Sequence, residues 1–391
     1  MRMKRLLCFG LMMALLCGAC AFAEKTPTPT LLRQQVDTPN GFVSYPQLSD
    51  YPDAVVQQQV NTAILAAGEV EERITRLQSL PEDTVGLRQG YEALLHGDVL
   101  SVTFSAQGAL RDSGFTHEWV TLNMDLTTGR PLTLDDLFTD VDAAKEAITA
   151  YIDQRVSPEL SAHLEVSSLT PLPETFGLSA EGITFYYDLE HFTTLGGLAG
   201  KVTLLYDELR DYLKLGEGTV LTRLGAEDVL TLSENSVDAI RTAVEAGQLP
   251  GVPAKVGDSL GELIETYDLL IDPDYYPGGR FFQLEDGAFR GTYLLTDALT
   301  DGWENSVVQG IRADRANFYG LCIGSTTQKE WRAVLGEPDA SVALNEDDAY
   351  AYNLETGISD YYNDGGHQLR LHADAEGVLR NIFITQYSMT Q

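Results

Sequence analysis

The sequence predicts an α+β fold: antiparallel sheets with segregated helices in a first domain, followed by two tandem helix-plus-antiparallel-sheet repeats. Three observations predict it. Apolar and polar residues alternate over short stretches such as "VLSVTFSA", residues 99–106, the period of a strand with one buried face. These stretches follow one another in runs with the helical patterns set apart, which argues against a doubly wound parallel sheet. The last third of the chain also repeats itself in order, at an offset of about 70 residues.

Element by element, the chain reads as follows. From Asp53 a helix is expected, with Val56, Val60, Ile64, Ala67, Val70, Ile74 and Leu77 at helical spacing and Asp53 placed to cap it. In the strand at 99–106, Leu100, Val102 and Phe104 face one way and Ser101, Thr103 and Ser105 the other. In "EWVTLNMDL", Val120, Leu122, Met124 and Leu126 alternate with Thr121, Asn123 and Asp125, which puts Asp125 on the outer face. "TTGR" turns the chain, with Gly129 free to take positive φ. Thr133-Leu134-Asp135-Asp136 is a T-x-x-D capping box, and both carboxylates meet the positive end of the helix. The aspartates of this stretch thus have a structural explanation before any catalytic one. A helix over 143–156 follows, then strands "GITFYYDL" and "KVTLLYDEL", with Ile183, Phe185, Tyr187 and Leu189 on one face and Val202, Leu204 and Tyr206 on the matching one.

The domain reading is a signal peptide over 1–23, a tether over 24–40, the first domain over 41–215, a connector with one helix over 216–250, and the repeat domain over 251–391. The connector helix "SVDAIRTAVEAG" is ended by Gly247 and Pro250. The repeat has copies at 256–322 and 323–391: "VGDSLGELIETY" parallels "IGSTTQKEWRAVLG", residues 281–287 parallel 351–357, and residues 307–311 parallel 378–382. Two such copies are expected to build one continuous sheet whose outer or concave face binds.

The chain has 391 residues, with 58 acidic against 26 basic and a formal net charge of -32. Such a charge disfavours nucleic acid and anionic membranes and steers cationic partners inward. Arg2, Lys4 and Arg5 precede the apolar run Leu6–Cys17, and Ala21-Phe22-Ala23 offers the small residues of a cleavage site, so export with cleavage after Ala23 is expected. The alternative is a lipid anchor on Cys20, although Cys17 stands where a lipobox carries an aliphatic residue. Beyond the leader no stretch is long and apolar enough for a membrane span, and Cys322 reads as a buried, inert thiol.

A resemblance enters at "YPQ", "VNTAI", "LNMDLTTGRPLTLDDLF", "FGLSAEGITFYYDLEHF" and "VTLLYDEL". Tyr45, Pro46, Asn61, Gly129, Leu134, Leu137, Phe138, Gly182, Phe185, Tyr187, Tyr206 and Leu209 carry it. Residues 41–213 resemble the extracellular domain of the RsiV-type lysozyme-sensing anti-sigma factor family, also found beside peptidoglycan deacetylase domains. The resemblance implies an envelope location and a lysozyme- or peptidoglycan-binding role. It does not extend to the signalling or deacetylase parts of those proteins. "IGSTTQKEWRAVLGEPD" resembles the helix-plus-sheet units of the β-lactamase inhibitor protein and of outer-membrane assembly lipoproteins.

Catalytic patterns are weak by comparison. "GGLAGKVT" has Leu195 where a phosphate loop needs its first glycine and Val202 where it needs a hydroxyl. His117 lacks the second histidine of a zinc helix, and His367 and His372, an odd number apart in a strand, fall on opposite faces. Neither "DPDYYPGG" nor "NEDDAY" has calcium-loop spacing. No cofactor, metal or catalytic residue is expected. The recognition candidates are tyrosines beside carboxylates: Tyr186 with Asp188 and His191, Tyr275 with Tyr276, and Tyr361 with Tyr362. The expected function is an exported, non-catalytic envelope binding protein for a cationic protein such as lysozyme, or for a peptidoglycan glycan. The alternatives are an envelope hydrolase or deacetylase built on His191, Asp188 and Glu190, and a structural accessory.

Overall fold

The computed structural model describes residues 28–81, 86–111, 114–155, 172–187, 201–250, 252–266, 269–276, 279–284, 291–298, 303–351 and 356–387. Among them the chain is α+β, as its patterning predicts. The leader with Cys20 and Ala23 lies outside the described residues.

The first domain is built on a six-stranded sheet, β1 (Thr30–Thr38), β2 (Gly41–Ser49), β3 (Leu87–His96), β4 (Val99–Arg111), β5 (Gly114–Asp125) and β6 (Arg130–Pro131), in that spatial order. Helices α1 (Ala54–Ala67) and α2 (Val70–Ser79) cover one face, where Val60 and Ile64 meet Leu100, Val102, Phe104 and Met124. The Asp53 carboxylate accepts from the Val55 and Val56 amides at 2.8 and 3.1 Å, as expected of its cap. Two expectations need correction here. The tether does not extend over 30–38: β1 pairs with β2 from Thr30↔Ser49 to Thr38↔Gly41. Backbone pairing rather than an apolar stripe holds this edge strand, so its composition resembles a linker. The single long helix is in fact two, because Glu69 turns left-handed at φ 46°. Gly68 is pressed so close to Phe104 that a Cβ there would lie 2.9 Å from the ring.

A smaller sheet, β7 (Phe176–Leu178), β8 (Gly182–Tyr186) and β9 (Lys201–Leu205), lies over the other face of β4 and β5. The Leu178 amide donates to Ser101 Oγ at 2.9 Å, and Asn123 Nδ2 donates to the Phe176 carbonyl at 2.6 Å. The polar face of β4 and β5 is therefore interior, which corrects the outer placement of Asp125: that residue is 5% exposed. Helices α3 (Leu134–Leu137) and α4 (Val141–Arg155) follow β6, and the Thr133–Asp136 capping box forms as expected. Short helices α5 (Val220–Arg223) and α6 (Ala226–Leu230) close a core that holds Ile183, Phe185, Val202, Leu204 and Tyr206.

Helix α7 (Glu234–Ala246) ends at Gly247, φ 67°, as its sequence predicts. Beyond it α8 (Leu260–Thr266) precedes strands β10 (Leu269–Tyr276), β11 (Gly279–Leu284), β12 (Thr292–Thr296) and β13 (Val308–Ala313), with a 3-10 turn at Trp303–Asn305. A small hairpin, β14 (Asn317–Phe318) and β15 (Leu321–Cys322), leads to α9 (Gln328–Leu335), β16 (Ala340–Ala343), α10 (Glu346–Ala351), β17 (Ile358–Asp364), β18 (His367–Ala373) and β19 (Leu379–Gln386). The two four-stranded sets make one eight-stranded sheet, ordered β10-β11-β12-β13-β19-β18-β17-β16. The continuous sheet expected of the repeat is present, and its copies meet through their last strands.

Backbone bonds recur at matching positions of the two halves. Leu260 N donates to Ser306 O at 2.9 Å, as Gln328 N does to Gly377 O at 2.8 Å. Val308 N donates to Asp258 O at 2.9 Å, as Leu379 N does to Thr326 O at 2.8 Å. The middle correspondence fails. Residues 281–284 lie in the second strand of the first copy, whereas residues 351–357 precede the second strand of the second copy, so the counterpart of β11 is β17. Helices α7, α8 and α9 pack Ile240, Val244, Leu260, Leu263 and Trp331 on one face of this sheet. The two domains touch through Arg315, which donates to both carboxylate oxygens of Glu208 and to the Thr203 carbonyl at 2.8 Å.

Candidate functional site

The residues singled out for recognition do not gather into one site. Tyr361 and Tyr362 are consecutive in β17 and point to opposite faces. Tyr361 lies opposite Arg370, whose guanidinium sits 5.3 Å from its ring centroid, on the face away from the helices. Tyr362 lies opposite Leu369 on the helix side, and its hydroxyl donates to the Gly336 carbonyl at 3.1 Å. Tyr275 and Tyr276 end β10, with backbones in register with Arg280 and Gly279. Tyr186 is buried, its ring 5.2 Å from that of Trp119. Asp188, Glu190 and His191 lie outside the described residues.

Around Tyr362 the fold builds a cleft of about 330 Å³. Helix α7 contributes Ile240, Arg241 and Val244, the end of α9 contributes Leu335, Glu337 and Asp339, and the β17–β18 hairpin contributes Tyr362, Asp364 and Leu369. Gly336 ends α9 with φ 86°, which frees the chain to carry Glu337 and Asp339 along the rim. Asp339 Oδ2 accepts from the Asn363 amide at 2.7 Å, tying rim to strand. Gly365 turns the hairpin at φ 57° so close to α7 that a Cβ would lie 2.5 Å from Glu245 Cγ. The walls therefore touch, and the cleft is formed before any ligand arrives.

Behind the cleft sits Asp360, 0% exposed. It accepts from Trp331 Nε1 at 3.0 Å, from Arg332 Nε and Nη2 at 2.7 and 2.6 Å, and from Ser341 Oγ at 2.8 Å. Burial works against its ionisation, but hydrogen bonds from Arg332, Ser341 and Trp331 outweigh it and hold the carboxyl below the usual range. Burial, and then the charge of Asp360, pushes the Tyr362 hydroxyl above the ordinary tyrosine value. Tyr362 is thus a neutral, anchored wall.

The first domain has a smaller hollow of about 190 Å³, lined by Ser101, Thr103, Thr184, Tyr186 and Glu92 among others. Trp119 flanks Tyr186, with Lys201 Nζ 4.5 Å from its ring centroid and His117 at 4.9 Å. Ser105 Oγ lies 3.1 Å from His117 Nε2, and burial, then Lys201, lowers the histidine pKa. A serine beside a neutral histidine is one part of a nucleophilic site; a third group orienting the ring is the other. Among the described residues no hydrogen bond to His117 Nδ1 supplies that part.

Other strongly shifted groups belong to the interior. Burial, then Glu208, pushes Asp207 up to about 7 at the domain junction. Burial pushes Asp314 up to about 6 beside Arg312. Burial also pushes the Cys322 thiol up to about 12, in keeping with the inert cysteine expected from its apolar surroundings. His367 and His372 fall on opposite faces of β18: His372 contacts Ser359 Oγ at 3.2 Å, and His367 Nδ1 lies 3.1 Å from the Glu245 carbonyl. Among the described residues no three His, Cys, Asp or Glu side chains come together as metal ligands, and no helix is long and apolar enough to cross a membrane.

Sequence reasoning reached Tyr362 but missed Arg241, Glu337, Asp364 and the Asp360 network. The acidic "GEPD" after α9 was the available signal for the rim. Nothing local ties it to α7.

No family model and no curated relative matches the chain. Solved structures similar to it include a DUF3298-family protein from Bacteroides fragilis, 20% identical over 50% of this chain and 96% of that one, with a TM-score of 0.36. Another DUF3298-family protein, from Pseudomonas aeruginosa, is 13% identical over 48% of this chain and 94% of that one, with a TM-score of 0.33. A DUF4309-family protein from Bacillus subtilis is 11% identical over 40% of this chain and 98% of that one, with a TM-score of 0.26.

Proposed function

We propose that this is an exported, non-catalytic binding protein of the cell envelope whose ligand is a cationic macromolecule, a lysozyme-like protein ahead of a peptidoglycan component. The observation that carries the reading is where the positive charge goes. Arg73, Arg223, Arg312, Arg315 and Arg332 each lie against a carboxylate of the same chain. Pairing removes acids and bases in equal number. It therefore leaves the excess of 58 acidic over 26 basic residues uncompensated. A molecule so charged attracts basic partners quickly and repels phosphate backbones. The leader-like first residues and the resemblance of residues 41–213 to the RsiV-type extracellular domain support the envelope location and the class of ligand.

The test is retention of a basic lysozyme on the immobilised protein at low and at moderate salt. Retention that weakens with salt is expected, because exposed charges are screened within about 10 Å at 0.1 M ionic strength. Lysozyme that passes through at both salts removes the protein ligand, and sedimentation with purified peptidoglycan then decides the glycan.

A further inference from the structure

We propose that the cleft between α7, the end of α9 and the β17–β18 hairpin is the docking point for a lysine side chain of the basic partner. This rests on the binding function proposed above and names the place and the chemical group. Four features converge on it.

The floor is apolar: Leu335 from the end of α9 and Tyr362 from β17 are half-buried and line it, with Ile240, Val244 and Leu369 packed in the core just beneath them. The rim is anionic, with Glu337, Asp339 and Asp364 reaching it from two different elements. Helix α9 ends there, so its last carbonyls add the negative end of a helix dipole to the same side. The volume, about 330 Å³, is at the small end of ligand clefts, room for one long side chain and its backbone.

A lysine satisfies all four. Its four-carbon stem covers apolar surface while its head stays at the polar edge. Its ammonium has three donors that separately mounted carboxylates can share. A guanidinium is suited to the two oxygens of one carboxylate, and the nearby Asp360 is already gripped that way by Arg332. Arg241, exposed on the α7 side, is the one element that works against a cation here. It sets a threshold that a weakly basic partner does not cross.

The experiment uses the full chain and a fluorescent hexalysine peptide, read by anisotropy at low and at moderate salt. Glu337→Gln with Asp364→Asn removes two rim charges with almost no change of shape. Glu71→Gln with Glu72→Gln removes two exposed charges from α2 in the other domain. The rim pair is expected to weaken hexalysine about tenfold, as about 0.7 kcal/mol per exposed charge implies, and the α2 pair less than twofold. Arg241→Ala is expected to tighten binding, a change in the opposite direction that a damaged fold cannot mimic. Hexaarginine is expected to bind more weakly than hexalysine. Equal weakening by the two double variants, or no gain from Arg241→Ala, overturns the cleft and leaves a diffuse acidic attraction. Failure of the unaltered protein to bind hexalysine at either salt overturns the cationic-partner reading itself.

Discussion

Asp125 and Arg223, 98 residues apart, meet in a two-pronged ion pair: Nη1 donates to Oδ1 at 3.0 Å and Nη2 to Oδ2 at 2.8 Å. The pair pins α5 to the end of β5, and Thr127 adds its amide and hydroxyl to Oδ1 at 2.9 and 2.6 Å. Asp125→Ala leaves Arg223 facing an empty, largely buried position and should cost about 3 kcal/mol in urea unfolding. Arg130→Ala, which breaks the exposed pair with Asp136, should cost less than about 1 kcal/mol. Burial opposes ionisation of Asp125, but Arg223 and Thr127 outweigh it and lower the pKa. That stabilisation is present above the ordinary aspartate pKa and disappears as pH falls through the depressed value. The gap between wild type and Asp125→Ala should therefore close in strong acid.

One clasp between domains is Arg315, whose guanidinium is held by Glu208 and the Thr203 carbonyl, beside Asn317 Nδ2, which donates to the Glu181 carbonyl at 2.7 Å. Arg315→Ala takes the counter-charge from the buried Glu208 carboxylate, to which the Tyr151 hydroxyl and the Leu205 amide still donate, and should cost about 3 kcal/mol. Calorimetry should show more than the number: a single unfolding transition in the unaltered chain and two in the variant, as each core melts by itself.

Asp207 lies at the same junction with Oδ1 buried and without a hydrogen-bond partner. Its pKa is pushed up to about 7, so the folded form holds a proton that the unfolded form releases near pH 4. The resulting stability is complete below about pH 4 and is lost as pH rises through about 7. Asp207→Asn keeps the shape and removes the titration. Its melting temperature should exceed that of wild type at about pH 8 and should vary less between pH 4 and 7.

Cys322 is 1% exposed and its thiol is pushed up to about 12. A disulfide reagent should leave Cys322 unlabelled over hours in the native protein and modify it fully in guanidinium, since the thiolate is the reacting species. Rapid labelling of the native form would mean that β15 opens locally.

How much of this was legible beforehand depends on the distance over which each feature is decided. The Asp53 cap, the Thr133–Asp136 box and the Gly247 stop are settled within four residues, and each appears as read. The sequence places Asp125 on an outer face and the structure places it inside, because alternation tells which residues share a face, not whether a second sheet covers it. β1 is illegible in the sequence because an edge strand needs only half-buried side chains, and its polar composition imitates a linker. Tyr361 and Tyr362 cannot share a site, since neighbours in a strand do not line the same surface. Arg241, Glu337 and Asp364 come from three elements, and only the packing of α7 on the β17–β18 turn makes them neighbours. The repeat was found through its helix starts and last strands, while the false middle match came from similar composition at inequivalent positions.

The join between β13 and β19, from Gly310↔Thr385 to Ala313↔Ile382, makes the second domain a dimer written as one polypeptide. Each half alone would present Ile311 or Ile384 beside a row of unsatisfied amides and carbonyls, an edge that invites another chain. Fusion gives each half a permanent companion and takes that invitation away. It also lets the halves diverge, so that a feature gained by one, such as the acidic lip after α9, need not be copied in the other.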